Sequence, residues 1–154
     1  MFILGNFILN CLAAAFAATG FAVLFNVPKN QLVFCSIGGL LSYFVRTLLM
    51  QSGVEIIWAT FVSASVVSVY GVLWAKRHNA HPKVITVASI IPMIPGVYAY
   101  KTMIAVVGLA GEDLTNETLQ SAVVNGIETI FILGAIAFGL AIPNMLIYRK
   151  KTVI

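Results

Sequence analysis

Long apolar stretches, separated by short polar segments, cover almost the whole chain. Five of them are nearly free of charge, at roughly 3–25, 31–50, 54–75, 84–109 and 121–147. About 20 apolar residues cross a bilayer as a helix, and a backbone in lipid must satisfy its own hydrogen bonds. The stretches also lack the apolar/polar alternation of barrel strands. The pattern predicts an all-α integral membrane protein, with residues 1–154 forming a single transmembrane domain of five helices.

Composition agrees with this interpretation. Of the 154 residues, 60% are hydrophobic and only 9% are charged, whereas a soluble domain has about 25% charged residues. The net charge of +4 does not indicate a nucleic-acid partner, because the basic residues lie between apolar stretches rather than along one stripe. Cys11 and Cys35 fall within apolar stretches and are expected to be buried as small hydrophobic residues.

The polar segments differ in charge, and this difference predicts an orientation. Lys and Arg in short loops stay on the cytoplasmic side of the membrane. If the five helices alternate in direction, the basic residues all fall on one side, while QSG (51–53) and the acidic GEDLTNET (111–118) fall on the other. The N-terminus is therefore predicted outside and the C-terminus in the cytoplasm. The basic residues in question are Lys29, Lys76, Arg77, Lys83, Arg149, Lys150 and Lys151.

Small residues recur at spacings that allow helices to approach closely. These positions predict either ordinary helix packing or a dedicated subunit interface, and the sequence leaves both open. They are Ala13, Ala17 and Ala18 in the first stretch, Ala64 and Ser68 in the third, and Ala135 and Gly139 in the fifth.

The fourth stretch contains PMIPG at residues 92–96. Pro92 and Pro95 remove two helix amide donors, and Gly96 permits backbone conformations that other residues resist. We predict a discontinuous helix whose second half begins near Pro95 and Gly96. Its free amides and positive dipole end would bind an anionic group, as broken helices do in secondary transporters, and Tyr98 and Tyr100 add hydroxyls. A simple proline kink is the alternative.

Charged residues within the apolar stretches are the other candidates. A charge at the bilayer centre costs ~2.5 to 3.5 kcal/mol, so it faces the protein interior or water. Lys101 and Glu128 are predicted at similar depth on adjacent antiparallel helices, with Asn125 about one turn from Glu128. They form either a structural ion pair or a site where a substrate carboxylate competes for Lys101. Arg46 lies nearer the outer surface, where it could extend to the interface, pair with Glu55 or contact a second carboxylate.

Catalytic and metal-binding patterns are not found in the sequence. There is no nucleophile with an adjacent base, no phosphate-binding glycine loop and no cofactor fingerprint. His78 and His81 lack the further ligands that a metal site needs. We therefore predict no enzyme activity, no cofactor and no metal site.

Several segments together resemble one protein family. They are GFAVLFNVP (20–28), SG (52–53) followed by WATF (58–61), AHPKVITVASIIPMIPG (80–96) with AY (99–100), and IPNMLIYRK (142–150). In this order they resemble the small membrane subunit of the threonine/serine exporter family. The resemblance implies a five-helix bacterial inner-membrane subunit that works with a larger membrane subunit. It also implies export of threonine, serine or the dicarboxylate succinate, but no role for Lys101 or Glu128.

These observations predict a subunit of a secondary transporter that exports a small carboxylate-bearing metabolite. Five helices can scarcely enclose an alternating-access path alone, so a larger partner subunit or a homo-oligomer is expected in the lipid bilayer. The alternative is a non-transporting membrane scaffold that stabilises or localises its partner. An ion channel is disfavoured, because the sequence has no carbonyl filter motif.

Overall fold

Helices account for all the regular secondary structure that a computed structural model shows for residues 2–78, 82–111 and 115–148. The prediction of an all-α fold is therefore confirmed. The helices are α1 (Phe2–Leu24), α2 (Lys29–Gln51), α3 (Ile56–His78), α4 (Pro82–Ile90), α5 (Gly96–Ala110) and α6 (Asn116–Tyr148), with one turn of 3₁₀ helix at Ile91–Met93 between α4 and α5. His81 and the basic residues 149–151 lie outside the described residues.

Four of the described helices are long and apolar enough to cross a membrane: α1, α2, α3 and α6. The segments Ile85–Met93 and Gly96–Ala110 bring the number to five if together they form one span. Large apolar side chains point outward along these helices, including Phe16, which is 77% exposed, and Ile130, which is 70% exposed. An outer surface this apolar suits lipid and not water, so the chain is a multi-pass membrane protein.

The first two helices end in the same kind of turn. Asn26 has φ 54° and Gly53 has φ 87°, a left-handed conformation that Gly and Asn adopt most readily. At the end of α1, the amide of Val27 donates to the carbonyl of Ala22. At the end of α2, the amide of Val54 donates to the carbonyl of Leu49. Both turns satisfy carbonyls that the helix end would leave without donors.

The described residues divide into two compact units, the first formed by 2–78, 82–93 and 135–148, and the second by 94–111 and 115–134. In the first unit, α2 packs against α1, α3 and α4. Small residues make this close packing possible: a Cβ added to Gly39 would overlap Ala18, and one added to Gly38 would overlap Ser89. Buried serine hydroxyls also join helices here, since Ser63 Oγ donates to the carbonyl of Ser42 at 2.6 Å.

The predicted small-residue positions contribute unequally to this unit. Ala18 and Ala64 are fully buried and Ala135 is 8% exposed, whereas Ala13 and Ala17 are exposed. Ser68 Oγ donates to the carbonyl of Leu140 at 2.8 Å.

The second unit consists of α5 and the first part of α6. Ala105 of α5 and Ala122 of α6 are both buried. Two glycines allow the helices to approach: a Cβ on Gly108 would lie 3.3 Å from Thr118, and one on Gly126 would lie 3.4 Å from Thr102. The hydroxyl of Thr102 bonds to its own helix, at the carbonyl of Tyr98, so it adds no unpaired polar group to the packed face.

Helix α6 begins five residues earlier than the apolar pattern predicts. The structure starts it at Asn116, and the amide of Thr118 donates to Oγ1 of Thr115 at 3.2 Å. Thr115 therefore acts as the N-cap residue. Glu117, which the sequence pattern had assigned to a polar connection, lies in the first turn of α6, where the helix dipole favours a negative charge.

Candidate functional site

A cavity of about 580 Å³ lies between α5 and α6 in the second unit. We call it the α5–α6 cavity. A volume of this size suits a small metabolite. Its lining contains one basic and one acidic side chain, several hydroxyl and amide groups, and a few apolar residues. The lining residues are Lys101, Ile104, Ala105, Gly108, Glu117, Thr118, Ser121 and Asn125.

Helical spacing explains why these residues share one cavity. Lys101, Ala105 and Gly108 are spaced i, i+4, i+7 along α5, and Glu117, Ser121 and Asn125 are spaced i, i+4, i+8 along α6. Each set therefore lies on one helical face. The two lining faces differ in chemistry, because α5 supplies one cation among small and apolar residues, whereas α6 supplies most of the polar groups.

Hydrogen bonds fix the polar groups of α6. The Nδ2 of Asn125 donates to the carbonyl of Ser121 at 2.7 Å and to its hydroxyl at 3.1 Å. Since Nδ2 is the donor end of the amide, Oδ1 is the end that remains to accept a hydrogen bond. Near the start of the helix, the hydroxyls of Thr118 and Thr115 lie 2.6 Å apart. The cavity thus has ordered polar groups along α6 and a long, exposed lysine on α5.

The structure brings two of the predicted site residues together in this cavity, Lys101 and Asn125. Glu128 lies one turn beyond Asn125, is half-buried and does not line the cavity. Within the described residues, no ion pair joins Lys101 to Glu128. The acidic residue that lines the same cavity as Lys101 is Glu117.

Sequence reasoning missed Glu117, Thr118 and Ser121. A usable signal was present, because Ser121 and Glu117 precede Asn125 by four and eight residues and therefore share its helical face. It went unused because residues 111–118 were interpreted as a polar connection and the helix was predicted to begin only at residue 121.

The PMIPG segment forms a tight backbone turn. Pro95 has φ −78° and ψ 58°, and the amide of Gly96 donates to the carbonyl of Ile94 at 2.8 Å. These values describe an inverse γ-turn. The amide of Gly96, an expected anion donor, is therefore already engaged. Of the two tyrosines beyond it, Tyr98 is half-buried and Tyr100 is 64% exposed, and neither lines the α5–α6 cavity.

Arg46 and Pro92 belong to the first unit. The Nη1 of Arg46 donates to the carbonyl of Met93 at 2.9 Å. The guanidinium thus contacts the backbone directly after Pro92. Glu55 is exposed and precedes α3, where its carbonyl accepts from the amide of Ala59.

The fold and the cavity define the class of protein: an all-helical, multi-pass membrane protein with charged and polar side chains in a cavity between two apolar helices. Comparison with known proteins identifies the family. The profile of the threonine/serine exporter family, ThrE, matches residues 10–146. The chain belongs to this family, so the resemblance seen in the sequence is confirmed, and it is a family of transporters.

An uncharacterized protein of Haemophilus influenzae (strain Rd) is 46% identical to this chain over 143 residues. The match covers 93% of this chain and 48% of the relative, so the chain spans about half the length of the curated relative that it matches. No solved structure matches the chain.

Proposed function

We propose that this chain is a subunit of a secondary transporter that exports a small carboxylate-bearing metabolite, with the α5–α6 cavity contacting the substrate. The presence of Lys101 in a cavity with ordered polar groups is the observation that carries the proposal. A lysine in an apolar helix is costly unless it faces water or a partner charge, and a substrate carboxylate supplies such a charge. Asn125 and Ser121 are suited to orient a small polar ligand there.

The charges of the lining favour an amino acid over a dicarboxylate. Lys101 attracts a carboxylate, whereas Glu117 attracts an ammonium group and repels a second carboxylate. Serine and threonine carry one group of each sign. Succinate carries two negative groups and would place one of them in the same cavity as Glu117. We therefore propose threonine or serine as the substrate, and succinate as the competing ligand that the experiment includes.

A larger partner subunit completes the proposed transporter. The H. influenzae relative is about twice as long as the matched region, which supports the idea that this chain works beside additional protein. Either that partner or further copies of this chain would enclose the rest of the path. We further propose that α4 and α5 form one broken span, that the N-terminus lies outside, and that the protein resides in a bacterial inner membrane.

Glu128 and the PMIPG segment remain candidate contributors to transport. Glu128 is proposed to exchange with substrate as the partner of Lys101 during transport. Among the described residues, the amides of Val97 and Tyr98, in the first turn of α5, donate to no backbone carbonyl of another element. They are therefore the amides through which this helix start would bind an anionic group.

In the scaffold alternative, small residues that include Ala64 and Ser68 would form the face that binds the partner. Within the first unit, Ala64 is buried where α3 approaches Gly139, and Ser68 bonds to Leu140. Because these residues already pack within the chain, we favour transport over the scaffold.

Uptake of labelled threonine, serine and succinate into proteoliposomes tests the proposal. The protein is used alone and as the complex purified from its native membrane. Lys101→Gln should raise the KM for all three substrates by roughly 10- to 100-fold, since a charged hydrogen bond contributes ~1.5 to 3 kcal/mol. Lys29→Gln, at an exposed lysine outside the cavity, is the matched control.

The second variant tests the choice of substrate. Glu117→Gln should weaken threonine uptake and raise the ratio of succinate uptake to threonine uptake. Glu55→Gln, which changes an exposed acidic residue outside the cavity, should leave both uptake rates unchanged. Normal uptake by both cavity variants would remove the α5–α6 cavity from the transport path. A Pro95→Ala, Gly96→Leu variant, assayed in parallel, tests the contribution of the PMIPG segment.

A further inference from the structure

Arg46 makes its hydrogen bond to backbone that is 47 residues away in the chain. Its Nη1 lies 2.9 Å from the carbonyl oxygen of Met93, and the two residues belong to the same compact unit. Met93 is fully buried, so this carbonyl lies in the interior of the unit. Arg46 is half-buried and lies five residues before α2 ends at Gln51.

The Met93 carbonyl lacks the donor that a continuous helix would give it. In an α-helix, the carbonyl of residue 93 accepts from the amide of residue 97. Here α4 ends at Ile90, a 3₁₀ turn covers Ile91–Met93, and α5 begins only at Gly96 with Pro95 as its N-cap. Met93 therefore lies outside both α4 and α5, and its carbonyl is not part of the regular hydrogen-bond pattern of either helix. A buried carbonyl in this position needs another partner.

An arginine is well suited to be that partner. Its guanidinium remains charged and presents several donors at the end of a long side chain, and a bond from a charged donor is stronger than one from a neutral donor. A charge in an apolar helix is costly, and this bond offsets part of that cost.

We propose that Arg46 is a positioning residue that replaces the missing amide donor of the PMIPG segment and so fixes where α5 begins. The proposal assigns Arg46 to the protein backbone and not to substrate. It does not depend on which metabolite is transported, or on transport itself.

Infrared spectroscopy of the Met93 carbonyl tests this proposal directly. The full chain in lipid is labelled with carbonyl-¹³C methionine. For each variant, the spectrum of the same variant carrying Met93→Leu is subtracted, which cancels every other labelled methionine, including one introduced at position 46, and isolates the Met93 band. Arg46→Met should shift this band to higher frequency, because a carbonyl that loses its hydrogen bond absorbs at higher frequency. A general loss of stability does not by itself move one carbonyl band.

A proline-free background provides the control. In a Pro92→Ala, Pro95→Ala chain, the helix can continue through this segment and the Val97 amide can bond to the Met93 carbonyl. Arg46→Met should then leave the Met93 band unshifted and should lower the melting temperature less than it does with the prolines present. If Arg46→Met does not accumulate, Arg46→Gln, which is too short to reach, should give the same shift. An unshifted band in the native PMIPG background, or an equal shift in both backgrounds, overturns the proposal.

Discussion

Two acidic side chains on α6 lie in different surroundings. Glu117 lines the α5–α6 cavity, whereas Glu128 is half-buried outside its lining. Their spacing of 11 residues places them on the same helical face. At ~1.5 Å per residue, however, they lie ~16 Å apart along the helix axis. The lining of the cavity therefore includes the charge of Glu117 and not that of Glu128.

This difference predicts distinct effects of two otherwise identical substitutions. Glu117→Gln should change the preference for threonine over succinate, because it removes the negative charge from the cavity. Glu128→Gln should leave that preference unchanged, because Glu128 lies outside the lining of the cavity. Competition between labelled threonine and unlabelled succinate measures the preference in each variant. A preference that changes with Glu128→Gln and not with Glu117→Gln would reverse this assignment.

Among the elements, α6 shows how a glycine and a proline shape a membrane helix. A Cβ on Gly139 would lie 2.7 Å from the carbonyl oxygen of Phe61 and 2.8 Å from Cβ of Ala64. Four residues later, Pro143 removes the amide donor that the Gly139 carbonyl would otherwise use. The hydroxyl of Ser68 bonds to the next carbonyl, Leu140. In membrane helices, Ser and Thr side chains commonly satisfy backbone groups near a proline.

The close approach at Gly139 predicts a strong position dependence along α6. Gly139→Ala should destabilise the protein by about 1 to 3 kcal/mol, because the new methyl group meets backbone that cannot move freely. Gly134→Ala is the matched control on the same helix. A Cβ there has nothing within 4 Å, so alanine should be neutral or stabilise by up to ~1 kcal/mol through helix propensity. Thermal unfolding of both variants in one lipid composition measures the difference, and equal effects would contradict the packing argument.

At the scale of the whole molecule, the number of spans decides the topology. If α4 and α5 together cross the membrane, the end of α3 and the start of α6 lie on opposite sides. If they do not cross, these two ends lie on the same side. The sequence favours the first arrangement, because it places the basic connection 76–83 and the acidic connection 111–118 on opposite sides.

Cysteine labelling distinguishes the two arrangements. We expect a membrane-impermeant maleimide to label Ser52→Cys and Asn116→Cys in intact cells with the outer membrane opened, and Arg77→Cys only after the inner membrane is opened. The parent chain is the control, because Cys11 and Cys35 are both buried. If Asn116→Cys behaves like Arg77→Cys, the chain has four spans, and the proposed broken span is wrong.

The pattern of hydrophobic residues determined the fold class, because the backbone of a long apolar segment in lipid must satisfy its own hydrogen bonds, and a helix does so. The same sequence placed helix boundaries near Asn26 and Gly53, because Asn and Gly readily adopt the left-handed conformation that ends a helix. Family-specific segments also identified the exporter family. The start of α6 was placed too late, because polar residues in a capped first helical turn look like a loop.

The tertiary structure decided which polar residues share a site. It placed Glu117 and Ser121 in one cavity with Lys101, and it joined Arg46 to the Met93 carbonyl. Hydropathy could not provide these pairings, because it reports how each residue interacts with lipid or water and not which helix faces which. Which helices face each other depends on close packing at small residues such as Gly39, Gly108 and Gly139. The hydropathy pattern along one helix does not identify the neighbouring helix that packs there.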